Sequence, residues 1–172
     1  MKKIFVVNGR PRAGKDTFAE LLSHFTTIHK ISIIDPIKTA AIELGWKGGK
    51  TEQDRKFLAD LKDLTDAYSN AAIKYIEDKV IDFEMNRIEE EVLLIDARNP
   101  DDIDIICSVF GAESVFINNP RVPTVTSNKA DANVETIEYD HTINNTGSLK
   151  EYEQLIEAWY HIVIKNDIDK FI

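Results

Sequence analysis

Gly9, Gly14 and Lys15, in the run "NGRPRAGKDTF", stand at the spacing G-x-x-x-x-G-K. Glycines so placed let a backbone turn closely around an anion, and a lysine directly after the second supplies a charge that follows terminal phosphates. The chemistry expected of residues 9–15 is therefore the cradling of a nucleoside triphosphate by backbone N–H groups, Ala13 included, with Lys15 as counter-charge. Arg10 and Arg12 lie inside the same loop and can add charge there, with at least one of the two facing solvent. The place after the lysine, commonly Ser or Thr with a hydroxyl on Mg²⁺, is Asp16, and Thr17 follows it. Two readings of Asp16 stand. With Thr17 on a phosphate, Asp16 holds Mg²⁺ directly or through one of the waters that this ion gives up reluctantly; otherwise it caps the start of a helix, where negative charge is favourable. Asp96, at the end of the apolar run "VLLID", is the expected second acidic group for Mg²⁺ or its waters. Arg98, two residues on, is placed to reach the transferred phosphoryl group or its acceptor.

These residues need a scaffold that gathers them, and the hydrophobic pattern supplies one. "KIFVVN" (3–8) reads as a buried strand ended by Asn-Gly, and from Lys15 onward Phe18, Leu21, Leu22 and Phe25 recur at helical spacing. "ISIID" (31–35) reads as a second strand, stopped by Pro36, which also suits the first turn of the helix "PIKTAAIELG" that Gly45 closes. Thr51 is a candidate cap for the helix "TEQDRKFLADLKDLTDAY", and a long helical stretch is expected from about Ser69 to Glu90. "VLLID" (92–96) and "ESVFIN" (113–118) read as strands, "PDDIDIICSVFG" as a short helix between them, and "HTINNTG" as a last short strand and turn. Leu149, Tyr152, Leu155, Ile156, Trp159 and Val163 form an amphipathic C-terminal helix. The segment 118–135, with two prolines and no apolar period, is a loop or lid. Strands alternating with helices imply a parallel α/β sheet covered on both faces, with ligands beyond the C-terminal strand ends. The loop at 9–15, Asp35, Asp96 and the segment after Ile117 converge there.

The 172 residues fit one domain, 1–172. A net charge of −9 and a pI near 4.9 repel polyanions, which argues against extended nucleic-acid binding but not against a small phosphorylated ligand in a local basic pocket. No apolar run approaches the roughly 18 residues of a membrane span, and the N-terminus reads as a strand rather than a leader. Cys107, the one cysteine, is expected in the core and implies a reducing, cytoplasmic setting.

The chain resembles the deoxynucleoside monophosphate kinases of phage and bacterial type, in the P-loop nucleotide kinase group. Animal-type phosphomevalonate kinase shares the unusual loop. "GRPRAGKDTFAELL" fits a phosphate loop that commonly ends G-K-D, and "IDARNPDD" (95–102) is similar to the family's I-T-D-V-R-F-P-N-E. "DPIK" resembles the segment opening the acceptor-binding region, here about 35–90, which implies that Asp35 and Lys38 bind substrate. "KTEQDRKFLADL" resembles the following helix, which implies that Arg55 contacts the acceptor phosphate. "YDHTINNTGSLKEYEQLI" resembles the family's ending. The lid segment follows the family's D-H-x-S-E only loosely, as Asp131 to Glu135, and holds one arginine, Arg121, as a further cation for the acceptor phosphate or the charge in transfer.

The resemblance implies a three-layer P-loop NTPase fold with a parallel five-stranded sheet, and ATP- and Mg²⁺-dependent phosphoryl transfer to a nucleoside monophosphate. Lys15, Arg98, Arg55 and Arg121 would be the catalytic cations, and Asp16, Thr17 and Asp96 the metal set. The expected partner is a small molecule, without nucleic acid or membrane, and a homodimer is admitted. Trp46, Phe57, Tyr68 and Asn70 are candidates for reading a base, with core packing the favoured role for Phe57. A phosphomevalonate-like acceptor and an ATP-binding module without turnover stand as alternatives.

Overall fold

The computed structural model describes residues 2–123 and 134–166. Five strands form one parallel sheet in the order β2-β3-β1-β4-β5: β1 Lys3–Asn8, β2 Ile28–Ser32, β3 Val92–Asp96, β4 Glu113–Asn118 and β5 His141–Asn144. β1 is central, between β3 and β4, and Val7 lies in register with Asp96, so the loop after β1 and the acid ending β3 emerge side by side. β3 is buried along Val92–Ile95, as a strand covered on both faces must be.

Alternate residues of the central strands feed two cores. Phe5, Val7, Leu94, Val115 and Ile117 pack with Phe18 and Leu22 of α1 (Lys15–Leu22) and with Tyr152 and Ile156 of α6 (Leu149–Trp159). On the other face Ile4, Val6, Leu93 and Ile95 pack with Ala72, Ile76 and Phe83 of α4 (Ala71–Asn86) and with Ile103 and Ile106 of α5 (Pro100–Phe110). The three-layer α/β fold with a parallel five-stranded sheet is thus the one the sequence implies. α2 (Asp35–Glu43) and α3 (Glu52–Ser69) stand beside α4, and α3 has no buried residue.

Several boundaries differ from the sequence reading. The second strand runs over 28–32, not 31–35, because β2 pairs with β3 from Ile28↔Val92 to Ser32↔Asp96. Asp35 then ends the turn rather than the strand: its Oδ2 accepts the Ser32 N–H at 2.7 Å, and it begins α2. The long helix expected from Ser69 to Glu90 is shorter, since Asn70 at φ 52° divides α3 from α4, and α4 stops at Asn86. Thr51 is the N-cap of α3 in a reciprocal capping box with Asp54. α6 passes into a π-helical turn, Tyr160–Ile164. Phe57 is exposed rather than in the core, being on a helix with no buried residue, and Cys107 is only partly buried against the second core. Of the expected lid, Asp131 and its neighbours lie outside the described residues.

Candidate phosphate and metal site

β1 delivers the chain into the loop through Asn8, a fully buried side chain. Its Oδ1 accepts the Gly9 N–H at 2.8 Å, and its Nδ2 donates to the Tyr139 hydroxyl at 2.8 Å. A Cβ on Gly9 would stand 2.7 Å from the Ile117 carbonyl oxygen, so only glycine lets the loop pass β4 this closely. The loop closes with the Ala13 N–H donating to the Arg10 carbonyl at 3.0 Å, and Arg12 takes a left-handed conformation at φ 67°. Gly14, at φ 103°, is the N-cap of α1, and no side chain caps this helix end. Its first-turn N–H groups are therefore available to an anion, and the positive end of the helix dipole adds to them.

Asn145 and Tyr152 brace the far end of the loop. The Asn145 Nδ2 donates to the Ala13 carbonyl at 3.0 Å and occupies the space a Gly14 Cβ would need, 2.5 Å from it; the Tyr152 hydroxyl donates to the Gly14 carbonyl at 3.3 Å. Lys15 folds back over the loop, with its Nζ 2.8 Å from the Gly9 carbonyl oxygen and 3.4 Å from that of Arg10. Arg10 donates to the Val122 carbonyl at 3.0 Å and pairs with Glu135, which ties the loop to the described residues on either side of 124–133. Arg12 is exposed, so the two loop arginines divide as the sequence suggests.

Asp16 lies in the first turn of α1 but caps nothing; its side chain is 95% exposed. The capping alternative for Asp16 is therefore corrected: what its carboxylate meets is the ammonium of Lys30, which also lies 3.2 Å from Oδ2 of Asp96. One cation thus stands against two carboxylates from two elements. The hydrogen bond and charge of Lys30 hold the Asp16 carboxyl below its ordinary range. Burial pushes Asp96 above its ordinary range despite the same partner. Burial also pulls on Lys30, but its bonds and proximity to Asp16 and Asp96 outweigh that and keep it firmly protonated. Two carboxylates of this disposition, with phosphate oxygens completing the shell, suit Mg²⁺, an ion that commonly uses one or two carboxylates and keeps several waters. Among the described residues no group of three His, Cys, Asp or Glu side chains forms a closed metal cage. Thr17 is partly buried in the same turn.

The other expected site residues are less gathered. Arg98 is exposed just past β3, with its carbonyl 3.4 Å from Asn8 Nδ2. Arg121 reaches the opposite side, where Nη2 donates to the carbonyls of Asn145 and Gly147 at 3.3 Å each. Beside that turn lies an open cavity of about 360 Å³ lined by Thr146, Gly147, Glu151, Gln154 and Leu155. Arg55 is exposed on α3, and Lys38 is paired at 4.0 Å with Asp35. The base-reading candidates are scattered: Trp46 donates to Asp54 Oδ1 at 3.0 Å, Tyr68 is 91% exposed, and Asn70 serves the α3–α4 junction.

Lys30, Asn145, Tyr152 and the Asn8–Tyr139 pair are the site residues that the sequence reading missed. Placing Lys30 before the second strand hid it; the one available signal was a lysine inside a β-branched run.

Neither a comparison with protein-family models nor one with curated proteins finds a match. Solved structures do resemble the chain. The Thermus thermophilus protein TT1252 is 16% identical, with 94% of this chain and 98% of that chain covered at a TM-score of 0.51. Dephospho-CoA kinase from Campylobacter jejuni is 18% identical over 96% and 97% of the two chains at a TM-score of 0.48. Shikimate kinase from Bacteroides thetaiotaomicron is 12% identical over 94% and 98% at 0.46. The likeness to TT1252 supports the fold. Among the described residues no helix is long and apolar enough to cross a membrane.

Proposed function

We propose that the protein is an ATP- and Mg²⁺-dependent kinase that moves the γ-phosphoryl group onto a (deoxy)nucleoside monophosphate. The observation that carries this reading is the junction of β1 and α1. An uncapped helix end, two glycines that neighbouring atoms require to be glycine, and Lys15 face the same strand-end crevice as Asp16 and Asp96. Such a transfer needs positioning and charge neutralisation rather than covalent help. The backbone N–H groups of the loop bind the donor phosphates, apart from Pro11, which has none, and Ala13, whose N–H is held by the Arg10 carbonyl. Lys15 exchanges its contacts with the Gly9 and Arg10 carbonyls for phosphate oxygens. Asp16 and Asp96, with Thr17 beside them, would hold Mg²⁺, which would supply charge neutralisation at the phosphates. Arg121 and the cavity beside Thr146 and Gly147 receive the outer part of the donor nucleotide, next to the Asn145 side chain that braces the loop. Arg98 and Arg55, with Asp35 and Lys38, orient the acceptor on the side of α2 and α3.

The test is a coupled assay across deoxy- and ribonucleoside monophosphates, with Lys15→Met as control. Turnover that requires Mg²⁺ and vanishes in the control is expected. ATP binding without turnover on any acceptor, including phosphorylated non-nucleotides, would replace the kinase reading with a nucleotide-binding module. A non-nucleotide acceptor keeps one specific support: two of the base-reading candidates, Trp46 and Asn70, are engaged in local structure.

A further inference from the structure

We propose that Lys30 is the resting occupant of the metal position, a tethered cation that a divalent ion must displace. Lys30 lies on the edge strand β2, in register with Leu94 and two residues short of the strand end at Ser32. Its side chain runs up to the crevice and lies partly exposed, 31%, against Asp16 and Asp96 together. No backbone pairing requires this: the ladder of β2 with β3 is complete without the side chain. What the contact achieves is neutralisation of two acids that the fold brings together from α1 and β3. An ammonium is a compact point charge with three donors, and so a substitute for a metal ion against carboxylate oxygens.

The consequence concerns the order of binding. With Lys30 in place the free protein has little to offer a divalent ion. Phosphate oxygens arriving on the uncapped end of α1 add ligands and negative charge, and only then does a doubly charged ion outcompete the lysine. Lys30 is thus a positioning residue that couples metal entry to nucleotide entry. The inference rests on the phosphoryl-transfer reading for the identity of the ion, yet its test requires no turnover.

Mn²⁺ binding to the full chain is measured by electron paramagnetic resonance without nucleotide, for the wild type, Lys30→Met, Lys30→Gln and Lys30→Arg. Removing a unit charge this close should tighten Mn²⁺ by about tenfold or more in K30M and K30Q, while K30R stays near the wild type. Adding Asp16→Asn to either neutral variant should abolish the gain. Thermal melting identifies the folded variants, and K30Q carries the test if K30M does not fold. Unchanged Mn²⁺ affinity in a folded neutral variant, or a gain that survives D16N, overturns the proposal. A chain inactive with every acceptor that still gains Mn²⁺ in K30Q would refute the kinase reading while upholding the role of Lys30. An active kinase whose Mn²⁺ affinity ignores Lys30 would do the reverse.

Discussion

Gly14→Ala tests whether the loop is held in its binding shape by a single close contact. At φ 103° Gly14 occupies backbone space that side chains rarely enter, and its missing Cβ is replaced by the Asn145 amide 2.5 Å away. An alanine there carries about 1–3 kcal/mol of backbone strain. It also displaces Asn145, whose 3.0 Å bond satisfies the carbonyl of buried Ala13, at a further cost of about 1–3 kcal/mol. Together these give about 2–6 kcal/mol, and at about 2–4 °C per kcal/mol for a chain of this size, a Tm lower by roughly 4–24 °C. Differential scanning calorimetry measures it, and Asn145→Gly separates the two parts. In the N145G background the same alanine should cost only the strain, so the double mutant is more stable than the sum of the single losses predicts. A G14A protein with unchanged Tm, or full additivity with N145G, would refute this account of the loop.

Other contacts give separate expectations. Lys62 on α3 is bonded to Asp66 at 2.8 Å and to Asp102 of α5 at 2.9 Å, with side chains only 15%, 23% and 11% exposed. Lys62→Met strands two acids and should cost about 3 kcal/mol in urea unfolding, with part of the loss recovered by Asp102→Asn. Tyr139→Phe removes the hydroxyl that accepts from Asn8 at 2.8 Å and donates to the Val134 carbonyl at 2.6 Å, and should cost about 1–2 kcal/mol by the same measurement. Asp140 accepts from the Ser114 N–H and hydroxyl, which hold its carboxyl below the ordinary range. A depressed folded pKa stabilises above the unfolded value near 4 and is lost as pH falls through the folded one. The Tm deficit of Asp140→Asn should therefore be present at pH 6 and shrink below about pH 4.

The fold was legible in the sequence because its signals are local and strong. Apolar runs bounded by Asn-Gly, Pro36 and Gly111 announce buried strands and helix ends, and parallel pairing follows from the alternation of elements. The second strand was misplaced for a physical reason. Ile33 and Ile34 continue its apolar run, but their turn is fixed by the Asp35 side chain and by the Ile33 N–H on the Asp96 carbonyl, contacts that hydrophobic pattern does not encode. The loop between β1 and α1 was legible because its two glycines and lysine fall directly between an apolar run and an amphipathic helix. Its bracing was not, since Asn145 and Tyr152 come from the far end of the chain and reach the loop only through the sheet order. The same holds for Lys30, visible as chemistry only once β2 is in register with β3.

The charge of the site follows from the same arrangement. To bind phosphates as proposed, a chain of net charge −9 must offer them a local positive field, and four of the cations around the loop have internal acceptors. Lys15 rests on the Gly9 and Arg10 carbonyls, Lys30 on Asp16 and Asp96, Arg10 on Glu135 and Val122, and Arg121 on Asn145 and Gly147. Binding is then an exchange of partners rather than the filling of an open basic patch. Each exchange offsets part of the gain at the phosphates, so a lone inorganic phosphate, which cannot replace all these contacts at once, should bind weakly. A ligand long enough to engage the uncapped helix end, Lys15 and the Arg121 turn together, and to bring a divalent ion to Asp16 and Asp96, meets Lys15, Arg121 and Lys30 in one event. Under the proposed phosphoryl-transfer function, this pairing of cations with internal acceptors favours an extended polyphosphate with its metal over a smaller anion.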